Sequence, residues 1–260
     1  MNKKYLKVAS DTAAFVEWMQ SPEAGTPSVG YLTTEDKVVY GEDYYYDIEG
    51  TVTPGTTEFS FKLNGQHGVT VNATVIGDKF YYKVPSDMVI TSVAYAFANN
   101  TSIVSLDKFN VPVPVGSDNQ SFFYRCTNLT GATLYNSNDL TRIGANCFYL
   151  CYNLTSITIP NTVETINESA FRNCSGLTEV ILPASLTAVG RRMFQDCSNL
   201  EKVTCLAVTP PGRSETTSGL EFSGTSPNLV IYVPEQSVNA YKTSSVWSSY
   251  ASIIEPIPTP

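Results

Sequence analysis

From residue 140 onward the apolar positions follow neither a helical nor a strand period for long, but return as a fixed series of short phrases. "LTRIGANCFYLCYNLTSITIPNTV", residues 140 to 163, opens on the apolar pair Leu140 and Ile143 and bends at Gly144. Phe148 and Cys151 follow, and the alternating segment Leu154, Ile157, Ile159 predicts a short strand ending at Pro160. The same roles pass to Val163, Ile166, Phe171, Cys174, Leu177, Val180 and Leu182, then to Leu186, Val189, Phe194, Cys197, Leu200 and Val203.

Aligned on the phenylalanine six places before the strand leucine or isoleucine, the register runs Phe97/Ile103, Phe123/Leu129, Phe148/Leu154, Phe171/Leu177 and Phe194/Leu200. The phenylalanine spacings are 26, 25, 23 and 23. A period in the twenties is that of leucine-rich repeats, in which one strand and one turn make a coil that can bury its apolar side only against its neighbours. The predicted fold class is mainly β: a leucine-rich-repeat solenoid of about five units of 23–26 residues.

Coils stacked about 4.8 Å apart carry equivalent side chains in ladders. The expected structural ladder comprises Phe123, Phe148, Phe171 and Phe194, with Cys126, Cys151, Cys174 and Cys197, and Leu129, Leu154, Leu177 and Leu200. A buried thiol acts as a small hydrophobe at a tight corner. Zinc ligands must converge on one point, whereas cysteines 23 residues apart fall in a row with no Cys-x-x-Cys knuckle. Cys147 and Cys205 are read as less regular packing positions. Asn128, Asn153 and Asn199 precede the strand leucine and are expected to bond loop backbone. Two of them sit in "NLT", which formally matches a glycosylation acceptor but is read as repeat grammar.

The pattern Phe-x-x-Cys-x-x-Leu-Thr-x-Ile-x-Ile-Pro, with "LTRIG" before it, resembles the BspA-type leucine-rich repeats of gut Bacteroidetes over about residues 90 to 210. The first unit departs from it, with Asn100 in the cysteine place, and "FNVPVPVGSDNQ" in the second is expected to protrude. "NLVIYVPEQSVNAYKTSSVWSSYASIIEPI", residues 228 to 257, resembles the closing module of such proteins. It implies a strand at Leu229 to Val233, a helix around Ser237 to Ser244, and Trp247 and Tyr250 over the last coil. A solenoid needs such a strand-helix-strand cap because its terminal coil otherwise exposes an apolar face.

Ahead of the repeats, "TEFSFKLNG", "VTVNATVIG" and "KFYYKVP" alternate and predict a small antiparallel or immunoglobulin-like sheet capping the front of the solenoid. Residues 1–48 hold "DTAAFVEWMQ", read as a short helix, and "SVGYLTTEDKVVYG", read as a hairpin turning at Glu35 and Asp36. This order resembles the amino-terminal region of fibre-like proteins of Bacteroidales phages. The expected division is 1–48 for attachment, 49–88 for the small sheet, 89–210 for the repeats and 211–260 for the cap.

Charge narrows the function. The net charge of -8 excludes general binding to nucleic acid, which needs clustered Lys and Arg. Residues 1–60 hold ten acids and four lysines, a net of -6, so the repeats are near neutral. The basic start "MNKKYLKVAS" is interrupted by Asp11 and Glu17, so a signal peptide is not expected, and no stretch reaches the ~20 apolar residues of a membrane span. Six cysteines without such a signal do not read as a secreted disulfide framework.

Catalytic motifs are not found: no Walker loop, Gly-x-Gly-x-x-Gly, His-Glu-x-x-His or Gly-x-Ser-x-Gly occurs, and His67 is the single histidine, in the turn-like "NGQHGV". No enzyme, cofactor or metal is expected. Glycosidases carry no universal short motif, so a glycan-active enzyme stands as the remote alternative. "YGEDYYYDIEG" lacks calcium-loop spacing, and its Tyr40, Tyr44, Tyr45 and Tyr46 are read as an assembly contact or an ordinary strand face. Varying polar positions beside the strands, Thr155, Ser156, Thr178, Glu179, Glu201 and Lys202, are either a ligand-facing strip or solvated faces. The expectation is a non-enzymatic structural or binding protein. It would be a phage virion component, made in the host cytoplasm, that contacts other virion proteins or a host surface macromolecule and has scope to self-associate. Resemblance to BspA-type proteins implies the alternative of a bacterial surface or secreted adhesin.

Overall fold

Alternation dictates the front of the molecule, and periodicity dictates the rest. The computed structural model describes residues 4–7, 37–40, 47–85, 87–109, 111, 119–133, 140–214 and 221–258. Strand β1 (Lys4–Lys7) pairs antiparallel with β2 (Lys37–Tyr40), so the second arm of the expected hairpin meets the chain start. The other arm, the expected helix, Tyr44, Tyr45, Tyr46 and the expected loop at 112–118 lie outside the described residues.

Strands β3 (Ile48–Val52), β4 (Phe59–Leu63), β5 (Val69–Ile76) and β6 (Lys79–Tyr82) form the small antiparallel sheet in the order β3-β6-β5-β4. In β4 the period-2 pattern turns Phe59, Phe61 and Leu63 into the core and leaves Ser60 in solvent. Strand β7 (Ile103–Phe109) joins this sheet to the solenoid, pairing antiparallel with β3 and parallel with β8 (Gly131–Thr133). The seam is tight: the β3–β7 register shifts beside Gly50, where a Cβ would strike the Ser105 carbonyl and the Phe80 ring. Strand β4 folds over the first coil, with Lys62 N–H donating to the Ala96 carbonyl at 2.8 Å and Asn64 N–H to Ser92 at 2.9 Å. The front sheet is therefore continuous with the repeats and shares one core with them.

Each later coil contributes to two ladders. Short strands β9 (Arg142–Ile143), β11 (Thr165–Ile166), β13 (Ala188–Val189) and β15 (Gly212–Arg213) stack parallel on one side. On the other, β10 (Ser156–Thr158) follows β8, while β12 (Glu179–Leu182), β14 (Lys202–Cys205), β16 (Val230–Val233) and β17 (Ile254–Pro256) form a separate parallel sheet.

Around each phenylalanine the chain coils through two left-handed residues, two before and two after it: Ser121 and Arg125, Asn146 and Leu150, Ser169 and Asn173, Arg192 and Asp196. This alternation aims every second amide at the next coil, as when Asn146, Phe148 and Leu150 donate to the carbonyls of Glu168, Ala170 and Arg172 at 3.0, 2.7 and 2.9 Å. Polar repeats add side-chain rungs, with Asn128 and Asn199 bonding the carbonyls of Thr101 and Ser175 at 2.8 Å. Where the coils touch backbone to backbone the side chain must vanish. A Cβ on Gly190 would collide with the Glu168 amide and the Asn167 carbonyl carbon. Gly190→Ala is expected to cost about 1–3 kcal/mol by overpacking, read as a lower urea midpoint.

At the far end, helix α1 (Val238–Thr243) and a 3₁₀ turn (Ser248–Ile253) lead into β17. Trp247 is buried over Phe222 and donates from Nε1 to the Pro211 carbonyl at 2.9 Å, and the Tyr241 hydroxyl donates to Ala207 at 2.7 Å. Pro256 and Glu255 mark the final edge strand, features that discourage further strand addition.

Candidate functional site

The inward face consists of regular side-chain ladders. The rings of Phe97, Phe123, Phe148, Phe171 and Phe194 stack in file with centroids 5.4, 5.2, 5.1 and 5.1 Å apart. A sixth ring, Phe222, extends the file at 5.7 Å, beyond residue 210, the expected end of the repeats. Phe222 departs from the repeat pattern in sequence: Leu229 lies seven places on, not six, and Thr225 stands in the cysteine place. Leu129, Leu154, Leu177 and Leu200 are fully buried beside the file.

The cysteines have a more specific role than filling a corner. Cys126, Cys151, Cys174 and Cys197 each donate S–H to the carbonyl of the phenylalanine one coil earlier, at 3.0, 3.1, 3.1 and 3.0 Å. In the first coil Asn100 takes the place instead. Its Oδ1 accepts from the amides of Ser102 and Ile103, and its Nδ2 donates to the Ser60 carbonyl on β4. Burial raises the thiols of Cys126, Cys151, Cys174 and Cys205 and lifts Cys197 to about 12. A buried protonated thiol is a poor nucleophile. All six free cysteines are accordingly expected to resist Ellman's reagent at pH 8 in the native chain and to react together on unfolding. Rapid labelling of a single native thiol would contradict the packing.

Outward residues of the same strands differ from coil to coil. Thr155, Ser156, Thr178, Glu179, Glu201 and Lys202 are all exposed. Register places Glu179 beside Lys202, with a salt bridge at 3.5 Å, and Lys202 beside Val230. A second row runs through Ile181, Thr204, Tyr232 and Glu255. Thr155 is partly committed to architecture, its hydroxyl donating to the Thr130 carbonyl at 3.1 Å.

Between β10 and β12 the backbone ladder is interrupted, and a groove of about 300 Å³ opens there, lined by Thr155, Ser156, Ile157, Thr178, Glu179 and Ile181 among others. Ile157 is only half-buried, whereas its counterparts Val180, Val203 and Ile231 are buried, so β10 stands off from the coil that follows. Ile181, at 58% exposure, is an apolar residue where the neighbouring strands carry Thr158 and Thr204. An isoleucine in this outward place is the groove's signal in the sequence, hidden there by the apolar strand residues Val180 and Leu182 on either side.

His67 is exposed in the turn between β4 and β5. Among the described residues no group of three His, Cys, Asp or Glu could hold a metal ion, and no helix is long and apolar enough to cross a membrane. The arrangement offers non-covalent contact over an extended face.

No curated protein matches the chain. Among solved structures it is similar to a T. pallidum leucine rich repeat protein, at 21% identity and TM-score 0.43 over 77% of this chain and 94% of that one. A leucine rich cell surface protein of Faecalibacterium prausnitzii is 18% identical, with TM-score 0.36 over 72% of this chain and 71% of that one. A leucine-rich repeat protein of Bacteroides ovatus is 16% identical, with TM-score 0.29 over 56% of this chain and 55% of that one. Residues 91–210, 120 of the 260, match the family model for the BspA type leucine rich repeat region in six copies, so it is this stretch that is similar to that family.

Proposed function

We propose that the chain is a non-enzymatic binding protein whose outward strand face recognises a macromolecule. The observation that carries this reading is the contrast between the two faces of the same strands. Inward positions repeat Phe, Cys and Leu, while outward positions change to Ser156, Glu179, Lys202 and Val230 at successive coils. A rigid ladder bearing a variable surface is the usual recognition device of solenoids.

We further propose that it works as a phage virion component, a fibre, decoration or tail-associated protein located in the particle. Support comes from the resemblance of residues 1–48 to fibre-like proteins of Bacteroidales phages. Its partners would be other virion proteins on one side and a host surface macromolecule on the other, with self-association as a further contact. The match of residues 91–210 to the BspA type favours a second reading, a bacterial surface or secreted adhesin. Mass spectrometry of purified phage particles and of the host envelope from the same culture separates the two. Stoichiometric copurification of its peptides with virions is the expected result. Peptides confined to the envelope, with a processed amino terminus, would overturn the virion reading and leave the adhesin.

A further inference from the structure

A polar hollow of about 390 Å³ runs along the seam where β4 meets the first coil, on residues that the outward strip does not use. Its volume is within the ~300–1,000 Å³ range of small-ligand pockets. One wall is the solvent side of the front sheet. Alternation buries Phe59 and Phe61 and leaves Glu58 and Ser60 exposed, and Thr70 on β5 stands opposite Lys62. Tyr95, Asn99 and Thr101 from the first coil form the other wall.

Two features define what this hollow can hold. Glu58 and Lys62 line it with opposite charges, Lys62 Nζ donating to the Gln66 carbonyl at 2.9 Å, so the lining carries no net charge to select an anion or a cation. The hydroxyls of Ser60, Thr70 and Thr101 and the amide of Asn99 can each donate and accept. Among the described residues, no hydrogen bond occupies these four side-chain groups. The half-buried ring of Tyr95 adds an aromatic surface, fixed by Gln120 Nε2 donating to its hydroxyl at 3.1 Å.

A neutral ligand that is dense in hydroxyls and has one apolar face meets all of these conditions. We propose that the seam between β4 and the first coil binds a neutral saccharide unit non-covalently, as a second recognition site independent of the strand strip. Hydrolysis is not part of the proposal: most glycosidases use two facing carboxyl groups, and the hollow supplies Glu58 as its one acid.

The test uses the full chain and a double variant, Thr70→Val with Asn99→Gly. Valine keeps a β-branched residue in β5, and glycine suits the φ of 62° at Asn99, so both remove polar groups without straining the backbone. Saturation-transfer NMR is run with glucose, galactose, mannose, N-acetylglucosamine and N-acetylgalactosamine, with acetate and ethylammonium as charged controls. At least one sugar is expected to bind, to bind about tenfold more weakly to the double variant, and to be unaffected by Lys202→Ala on the strip. Thermal unfolding followed by circular dichroism checks that the variant is folded. Silence from every sugar would overturn the proposal, as would unchanged binding in a folded double variant, or displacement of the sugar by either charged control.

Discussion

Phe171→Ala is expected to lower stability by about 3–5 kcal/mol, the usual cost of deleting a fully buried aromatic ring. Phe171 has no solvent exposure and is stacked on Phe148 and Phe194 at 5.1 Å on both sides, with ring planes 7° and 11° apart. The coils above and below are pinned by amide ladders and by the thiol bonds of Cys174 and Cys197, the latter to the carbonyl of Phe171 itself. They cannot close onto the void, and the cavity contribution therefore adds to the lost transfer energy. Two stacking contacts, each worth about 0.5–1.5 kcal/mol beyond burial, are lost as well. Phe171→Leu fills most of the space and should lose roughly half as much. Urea unfolding of the three chains measures the difference. A loss below about 1 kcal/mol for alanine would mean that the file is not tightly packed.

The second large effect is at the other end. Arg213→Ala is expected to cost about 3 kcal/mol at pH 8, because it leaves a buried carboxylate without its cation. Glu221 is 1% exposed, and its Oε1 lies 2.6 Å from Arg213 Nη1 on β15. The Tyr250 hydroxyl donates to Oε2 at 3.3 Å and accepts from the Phe222 amide at 3.2 Å. One carboxylate thus joins the β9-β11-β13-β15 ladder, the last coil and the cap.

Burial raises Glu221 above its ordinary 4.5, with Arg213 and Tyr250 pulling the other way. A carboxyl whose folded pKa is raised stabilises the fold in its protonated form below the unfolded pKa, and that contribution is lost as pH rises through the folded value. Removing Arg213 raises the folded value further. The stability gap between wild type and variant should therefore be widest at pH 8 and shrink as pH falls toward 4. A gap that stays constant or widens in acid would show that Glu221 is not the group left exposed to the loss.

Much of the solenoid was legible because side chains at a fixed spacing have one physical reading: equivalent residues must stack. Phe148, Phe171 and Phe194 at intervals of 23 residues become a file of rings about 5 Å apart for that reason. What spacing could not reveal was the partner of each thiol. The accepting phenylalanine carbonyl is aimed at the next coil by left-handed residues such as Arg125 and Leu150, neither of which is a glycine or another marker of that conformation. The fusion of β3 to β7 was equally hidden, since pairing between Ile48 and Phe109 spans 61 residues and leaves no local pattern. The polar hollow was half-legible. Alternation in "TEFSFKL" gives its Glu58 and Ser60 wall, but only the fold brings Asn99 and Thr101 against it.

Recognition by a rigid surface requires the front sheet and the coils to behave as one body, and native-state hydrogen exchange tests that requirement most directly. The Lys62 amide ties β4 to the first coil, while those of Phe97, Phe123, Phe148, Phe171 and Phe194 tie successive coils. All six are expected to exchange with one common free energy and one common dependence on denaturant, the mark of a single cooperative unit. Exchange of Lys62 at a markedly lower free energy than Phe148 and Phe171 would contradict the account, making the front sheet a separately opening module.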